Sequence, residues 1–172
     1  VSNSQWDDRS GNGNNATPFG SPTLVQDAYN GLPVMMYSGD DAQYHEFSEI
    51  SNIRTVFWVV RENSSATNHD PLLGDDNSAH FHANQRNLWG PWTHTNIKNG
   101  LTRINGKLKN GENTTKPVHL SIISLRTTGN VSARYFSNDR SIGGRRWDGE
   151  LAELLIFSSP LTDAQIVEIE DY

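Results

Sequence analysis

Two stretches of this sequence hold the residues with the strongest chemical claim. A-H-F-H-A sets His80 and His82 two positions apart, and N-L-W-G-P-W-T-H sets Trp89 and Trp92 around a Gly-Pro bend just before His94. In an extended chain, residues i and i+2 share a face. His80 and His82 therefore read either as two zinc ligands, with His69 or His94 nearby, or as a polar edge that donates hydrogen bonds. No third ligand follows at a metal-site spacing, which favours the second reading. Further on, G-G-R-R-W-D-G places Arg145 and Arg146 beside Trp147. Guanidinium groups next to an indole suit a ligand with both an anionic group and an apolar ring face, such as an acidic or sulfated sugar.

The carboxylates are poorly spaced for catalysis. A retaining glycosidase needs two of them about 5 Å apart, so on one strand they must occupy same-face positions. Glu46 and Glu49, like Glu150 and Glu153, are three apart and point to opposite faces of an extended chain. Glu153, inside an apolar run, is expected to be buried and paired with an arginine such as Arg140. The reading is therefore not an enzyme. Oxygen ligands for calcium are more plentiful: Asp7 and Asp8, Asp40 and Asp41, Asp75 and Asp76, and Asp148. None has EF-hand spacing, and acid-Gly pairs also make turns, with Asp148-Gly149 reading as a hairpin.

These side chains need a β framework to hold them. I-R-T-V-F-W-V-V (Ile53 to Val60), V-H-L-S-I-I-S-L (Val118 to Leu125) and L-A-E-L-L-I-F (Leu151 to Phe157) are apolar in both alternation phases, as in strands covered on both faces. Shorter candidates are L-P-V-M-M-Y, P-L-L-G, A-H-F-H-A, N-L-W, L-T-R-I-N-G-K-L and S-A-R-Y-F. Roughly ten short strands with frequent turn signals predict an all-β sandwich. One helix is expected at the C-terminal end, where Thr162 and Gln165 make a capping box and Leu161 can staple onto Ile166. The opening W-D-D-R-S-G-N-G-N-N-A-T reads as a structural turn anchored by Trp6. Trp58 belongs to the core, whereas Trp89, Trp92 and Trp147 at loop ends are expected to be exposed.

At 172 residues the chain fits one domain, 1–172. The absence of cysteine excludes disulfides and thiol catalysis. A net charge of −6 argues against nucleic acid and anionic membranes as partners, and no apolar run approaches the ~18 residues of a membrane span. The one basic concentration, Arg126, Arg134, Arg140, Arg145 and Arg146, is opposed within its window by Asp139 alone. Its plain reading is a set of charges balanced by acids from elsewhere.

Three segments carry a resemblance. The entry W-D-D-R-S-G-N-G-N-N-A-T, the middle T-V-F-W-V-V-R-E with P-L-L-G-D, and the exit F-S-N-D-R-S-I-G-G-R-R-W-D-G-E-L-A-E-L-L-I-F-S-S-P-L-T-D-A-Q-I together resemble the bacterial laminin-G-like domains, over about Trp6 to Tyr172. These are concanavalin A-like jelly rolls. The resemblance implies two curved antiparallel sheets and a module of a secreted or cell-surface multidomain protein. It also implies a polysaccharide or glycan partner and, often, a calcium ion. The glucanases of that superfamily carry an E-x-D-x-x-E-type strand that is missing here. Lectin-like or adhesin binding is the expected function. The alternatives are a protein-interaction or spacer domain and a divergent glycoside hydrolase or polysaccharide lyase. The expected ligand surface is the loop rim of Trp89, Trp92, His80, His82, Arg145, Arg146 and Trp147, with Asp7, Asp8, Asp40, Asp41 and Asp148 as calcium candidates. In such domains a strand usually precedes the W-D-D-R-S-G-N-G segment. Here five residues precede Trp6, so either the domain begins earlier or the sheet edge that strand would pair is open.

Overall fold

Branched and aromatic residues from Ile53 to Val60 form the second half of one long strand. In the computed structural model, which describes residues 5–39, 43–66, 69–140 and 142–171, that strand is β4 (Tyr44–Glu62). The other elements are β1 (Thr17–Phe19), β2 (Thr23–Tyr29), β3 (Leu32–Ser38), α1 (Thr95–Lys98), β5 (Leu101–Ile104), β6 (Lys107–Lys109), β7 (Ser121–Phe136), β8 (Asp148–Phe157) and α2 (Asp163–Glu170). The protein is mostly β. Its eight strands form one antiparallel hydrogen-bonded sheet in the order β2-β3-β8-β4-β7-β5-β6, with β1 on the first part of β4. The expected pair of separate sheets does not appear in the hydrogen bonding, because β4 and β7 run on through register shifts between Glu46 and Thr55 instead of breaking.

Val56, Trp58 and Val60 enter a core with Ile123, Leu125, Val131, Phe136 and Leu151. Phe57, one residue out of phase, packs on the opposite face against Leu161 and Ile166, as strand alternation requires. This second cluster seats α2. Thr162 and Gln165 form the expected capping box, the Thr162 N–H donating to Gln165 Oε1 at 2.9 Å. Leu161 and Ile166 meet as the expected staple.

P-L-L-G, A-H-F-H-A and N-L-W are not strands but parts of an irregular excursion between β4 and α1, tied by isolated bridges such as Gly74↔Tyr135. Its apolar residues Leu72, Leu73, Phe81, Leu88 and Trp89 are buried in the main core, so burial is met by plugging the sheet face rather than by pairing. Phe81 and Trp89 stand edge-on or tilted to Trp58 at 6.1 and 6.3 Å. Asp148-Gly149 begins β8 and is not a hairpin: Gly149 has φ +148, and a Cβ there would lie 2.1 Å from Arg61 O. A tight turn occurs instead at Asn105-Gly106 between β5 and β6, with φ of 47 and 75, the backbone signs of a type I′ hairpin.

The opening segment is a structural turn, as expected. Trp6 and Ala16 exchange both backbone hydrogen bonds at 2.8 Å. Asp8 accepts the N–H groups of Ser10 and Asn14 at 2.8 and 2.9 Å, which lowers its pKa. The neighbouring edge of β8 is half paired. β3 meets β8 only from Asp148 to Leu151, while β4 accompanies it to Phe157, so among the described residues no strand lines the second side of 152–157. No helix among the described residues is long and apolar enough to cross a membrane.

Candidate functional site

The excursion after β4 doubles back on itself through main-chain hydrogen bonds, Gly90 N–H to His82 O at 2.8 Å and His94 N–H to His80 O at 3.0 Å. Thr93 closes the tip: its hydroxyl accepts the Gly90 N–H at 2.9 Å and donates to His82 O. Gly90 is closely packed, and a Cβ there would come within 3.1 Å of the His82 ring. The Gly-Pro bend then sends the two neighbouring indoles in opposite directions. Trp92 projects from the tip and is 77% exposed, whereas Trp89 is 1% exposed, its indole N–H donating to Thr102 Oγ1 at 2.9 Å.

His80 and His82 fall into separate pairs. The His80 ring meets that of His94 edge-on at 4.6 Å, and its Nδ1 accepts the Ser132 N–H at 2.9 Å. His94 Nδ1 caps α1 through the Asn96 N–H. His82 is buried, with Nδ1 3.3 Å from Asp139 Oδ2. His69 stacks on His82, with centroids 5.6 Å apart and planes 17° from parallel. Burial, then the charge of Arg145, lowers the His69 pKa.

Asp139 is the hub of this cluster. It sits beneath Arg140 and Arg145, which each reach it at 2.8 Å. Burial opposes its ionisation, but hydrogen bonds from His82, Arg140 and Arg145 outweigh it and hold the carboxyl far below the usual range. The lone acid in the arginine-rich window thus gathers two of those arginines. Arg126 and Arg134 are balanced by Asp163 and by Asp76 and Glu46, in line with the plain reading of the window.

Besides buried His82, three of the expected rim residues are interior. Trp147 has no exposed surface: its ring packs edge-on against Phe136 at 6.0 Å and its backbone N–H donates to Ser137 Oγ at 2.8 Å. Arg146 is buried, donates to the Ile142 and Arg145 carbonyls, and lies over the Tyr44 ring at 5.6 Å. Trp89 is the third. Of the residues around these loops, Trp92 stays exposed, His80 and His69 half-buried, and Arg140 and Arg145 partly exposed. They offer an exposed aromatic plane on one loop and cationic hydrogen-bond donors on others, a chemistry suited to binding.

Among the described residues the acidic candidates do not converge. Asp7 accepts from Gln5, and Asp8 is committed to its own turn. Asp75 accepts from Ser132 and Asn77, and Asp76 from Arg134 and Tyr135. Asp148 lies against Gly39, and Asp40 and Asp41 fall outside the described residues. Among the described residues no three or more His, Cys, Asp or Glu side chains are grouped to hold a metal. Glu150 is bound by Arg61 at 2.6 Å and Tyr29 at 2.7 Å, and Glu46 by Arg134. Glu153 is exposed, not buried, and Arg140 is occupied by Asp139 instead.

Sequence reasoning missed a buried network below this rim. Lys116 and Glu62 pair at 3.0 Å, Arg86 joins Glu62 at 3.2 Å, and Lys116 also donates to Asp70 O and Gln85 O. Neither a protein-family model, nor a curated protein, nor a solved structure matches the chain.

Proposed function

We propose that this chain is a laminin-G-like jelly roll acting as a non-catalytic carbohydrate-binding module of a secreted or cell-surface multidomain protein. On this reading β4 and β7 each serve two layers, and their register shifts are where the chain passes from one layer to the other. Support comes from the core, which gathers Phe47 and Ile53 from the first part of β4 with Trp58 and Val60 from its end. One flat layer brings such distant parts of a strand together poorly.

The observation that carries the functional reading is Trp92, a large apolar ring left 77% exposed on a tip that Thr93 locks in place. A pyranose offers its C–H face to such a ring and its hydroxyl rim to polar side chains. Arg140 and Arg145 favour a carboxylated or sulfated sugar, since guanidinium groups bind such anions bidentately. Catalysis has no support in the carboxylates, and calcium is not built into the reading.

A glycan array run with and without calcium tests it, with wild type beside Trp92→Ala and Arg145→Ala. The expected result is retention of an acidic glycan in both conditions, weakened at least fivefold by either substitution. Folded wild-type protein that retains no glycan in either condition overturns the reading.

A further inference from the structure

Two histidines lie against the Asp139 hub, and only one of them is committed to it. His82 is buried, and its Nδ1 meets Asp139 Oδ2 at 3.3 Å, the same oxygen that Arg145 Nη1 reaches at 2.8 Å. His69 lies one ring further out. It is stacked on His82, half-buried, and has no hydrogen-bond partner among the described residues.

The hub offers donors and no free acceptor. Asp139 Oδ1 accepts from Arg140 Nε at 2.8 Å, and Oδ2 accepts from Arg145 Nη1 and Arg140 Nη2 at 2.8 and 3.3 Å, beside His82. Its single negative charge faces two guanidinium groups, so one positive charge is left over. A guanidinium carries five N–H groups, and most of those on partly exposed Arg140 and Arg145 meet no acceptor among the described residues. The excess charge also acts on His69. Burial first, then Arg145, lowers the His69 pKa from 6.5; His82 and Lys116 act in the same direction and Asp139 in the opposite one. Lys116 is paired with Glu62, and Asp70, next in the chain to His69, is buried beside that pair. An anion seated on Arg145 would cancel the guanidinium charge and give an imidazolium N–H something to donate to.

We propose that His69 is a further contact for the anionic group of the ligand, donating to it as the imidazolium, so that binding takes up one proton from solvent. This rests on the carbohydrate reading and gives it a residue beyond Trp92, Arg140 and Arg145. The proton is held more tightly in the complex than in the free protein, and proton and ligand therefore favour each other's binding equally. Affinity rises as pH falls from the pKa of the ring in the complex to that of the free ring, which lies below 6.5.

The probe is a short dextran sulfate, with unsulfated dextran as the control. NMR of the imidazole rings follows His69 in the wild-type chain, so the first measurement needs no substitution. The His69 ring should titrate at higher pH with dextran sulfate than without it, and unsulfated dextran should leave it where it was. Affinity for the probe should rise at least about threefold between about pH 8 and about pH 5, and His69→Gln should lose most of that rise. The proposal is overturned if the bound probe leaves the His69 titration unmoved, or if His69→Gln keeps the full rise. In both cases the probe binds and the carbohydrate reading stands. If dextran sulfate binds at neither pH, this proposal and the anionic preference it rests on are overturned together.

Discussion

Lys116 Nζ lies 3.0 Å from Glu62 Oε1, and neither side chain has any exposed surface. This pair ties the end of β4 to the excursion that carries Trp92. Lys116 donates to Asp70 O at 3.2 Å and Gln85 O at 2.9 Å, and Arg86 donates to Ser64 O while reaching Glu62. The excursion is held to the end of β4 by this buried pair and by partly exposed Arg86.

Removing one partner of such a pair strands the other charge. Lys116→Met is expected to cost about 3–5 kcal/mol, and the double variant Lys116→Met/Glu62→Gln clearly less than the sum of the single changes. Urea unfolding of the four proteins measures the coupling, and additive losses would show that the pair does not act as a unit.

Asp70 lies beside this network. Burial pushes its carboxyl up to about 7, against the pull of Lys116. Because the folded pKa is the higher one, Asp70 favours the fold at low pH, and that contribution is lost as pH rises from about 4 through 7. The stability of Asp70→Asn relative to wild type should therefore be greater at pH 8 than at pH 5, by about 1–3 kcal/mol. Thermal unfolding at the two pH values reads this directly.

His45 acts in the opposite sense. It is buried with Nδ1 2.7 Å from the Tyr37 hydroxyl, and desolvation lowers its pKa to about 4. Its contribution is complete above 6.5 and is lost as pH falls toward 4, with a slope of up to about 1.4 kcal/mol per pH unit. Asp70 and His45 offset each other across that window. Stability of Asp70→Asn should thus fall more steeply with acid than wild type, and that of His45→Gln less steeply.

The two indoles around the Gly-Pro bend should separate stability from binding. Trp89→Ala removes a filled core position and its bond to Thr102, for about 3–5 kcal/mol. Trp92→Ala should stay within about 0.5 kcal/mol of wild type while losing glycan retention. A large stability loss at Trp92 would mean that its exposure in the fold is not maintained in solution.

Features governed by near neighbours were legible in the residues alone. The Thr162–Gln165 capping box, the self-bonded Asp8 turn and the apolar phases of β4 and β8 each depend on residues a few positions apart or on alternation along one strand. Burial and partnership depend on chain segments that meet only in three dimensions. Trp89 and Trp92 have similar neighbours in sequence, yet Trp89 is interior because Thr102 and Gly111 close over it, a Cβ on Gly111 falling 2.0 Å from its ring. Which acid balances Arg145 could not be read from its neighbours until the fold set Asp139 and His82 beneath it. That β3 pairs with only part of β8 was not legible in the residues of either strand. It became a physical feature when β3 proved to leave β8 at Leu151, because the length of a strand's pairing is set by the partner's path and not by its own residues.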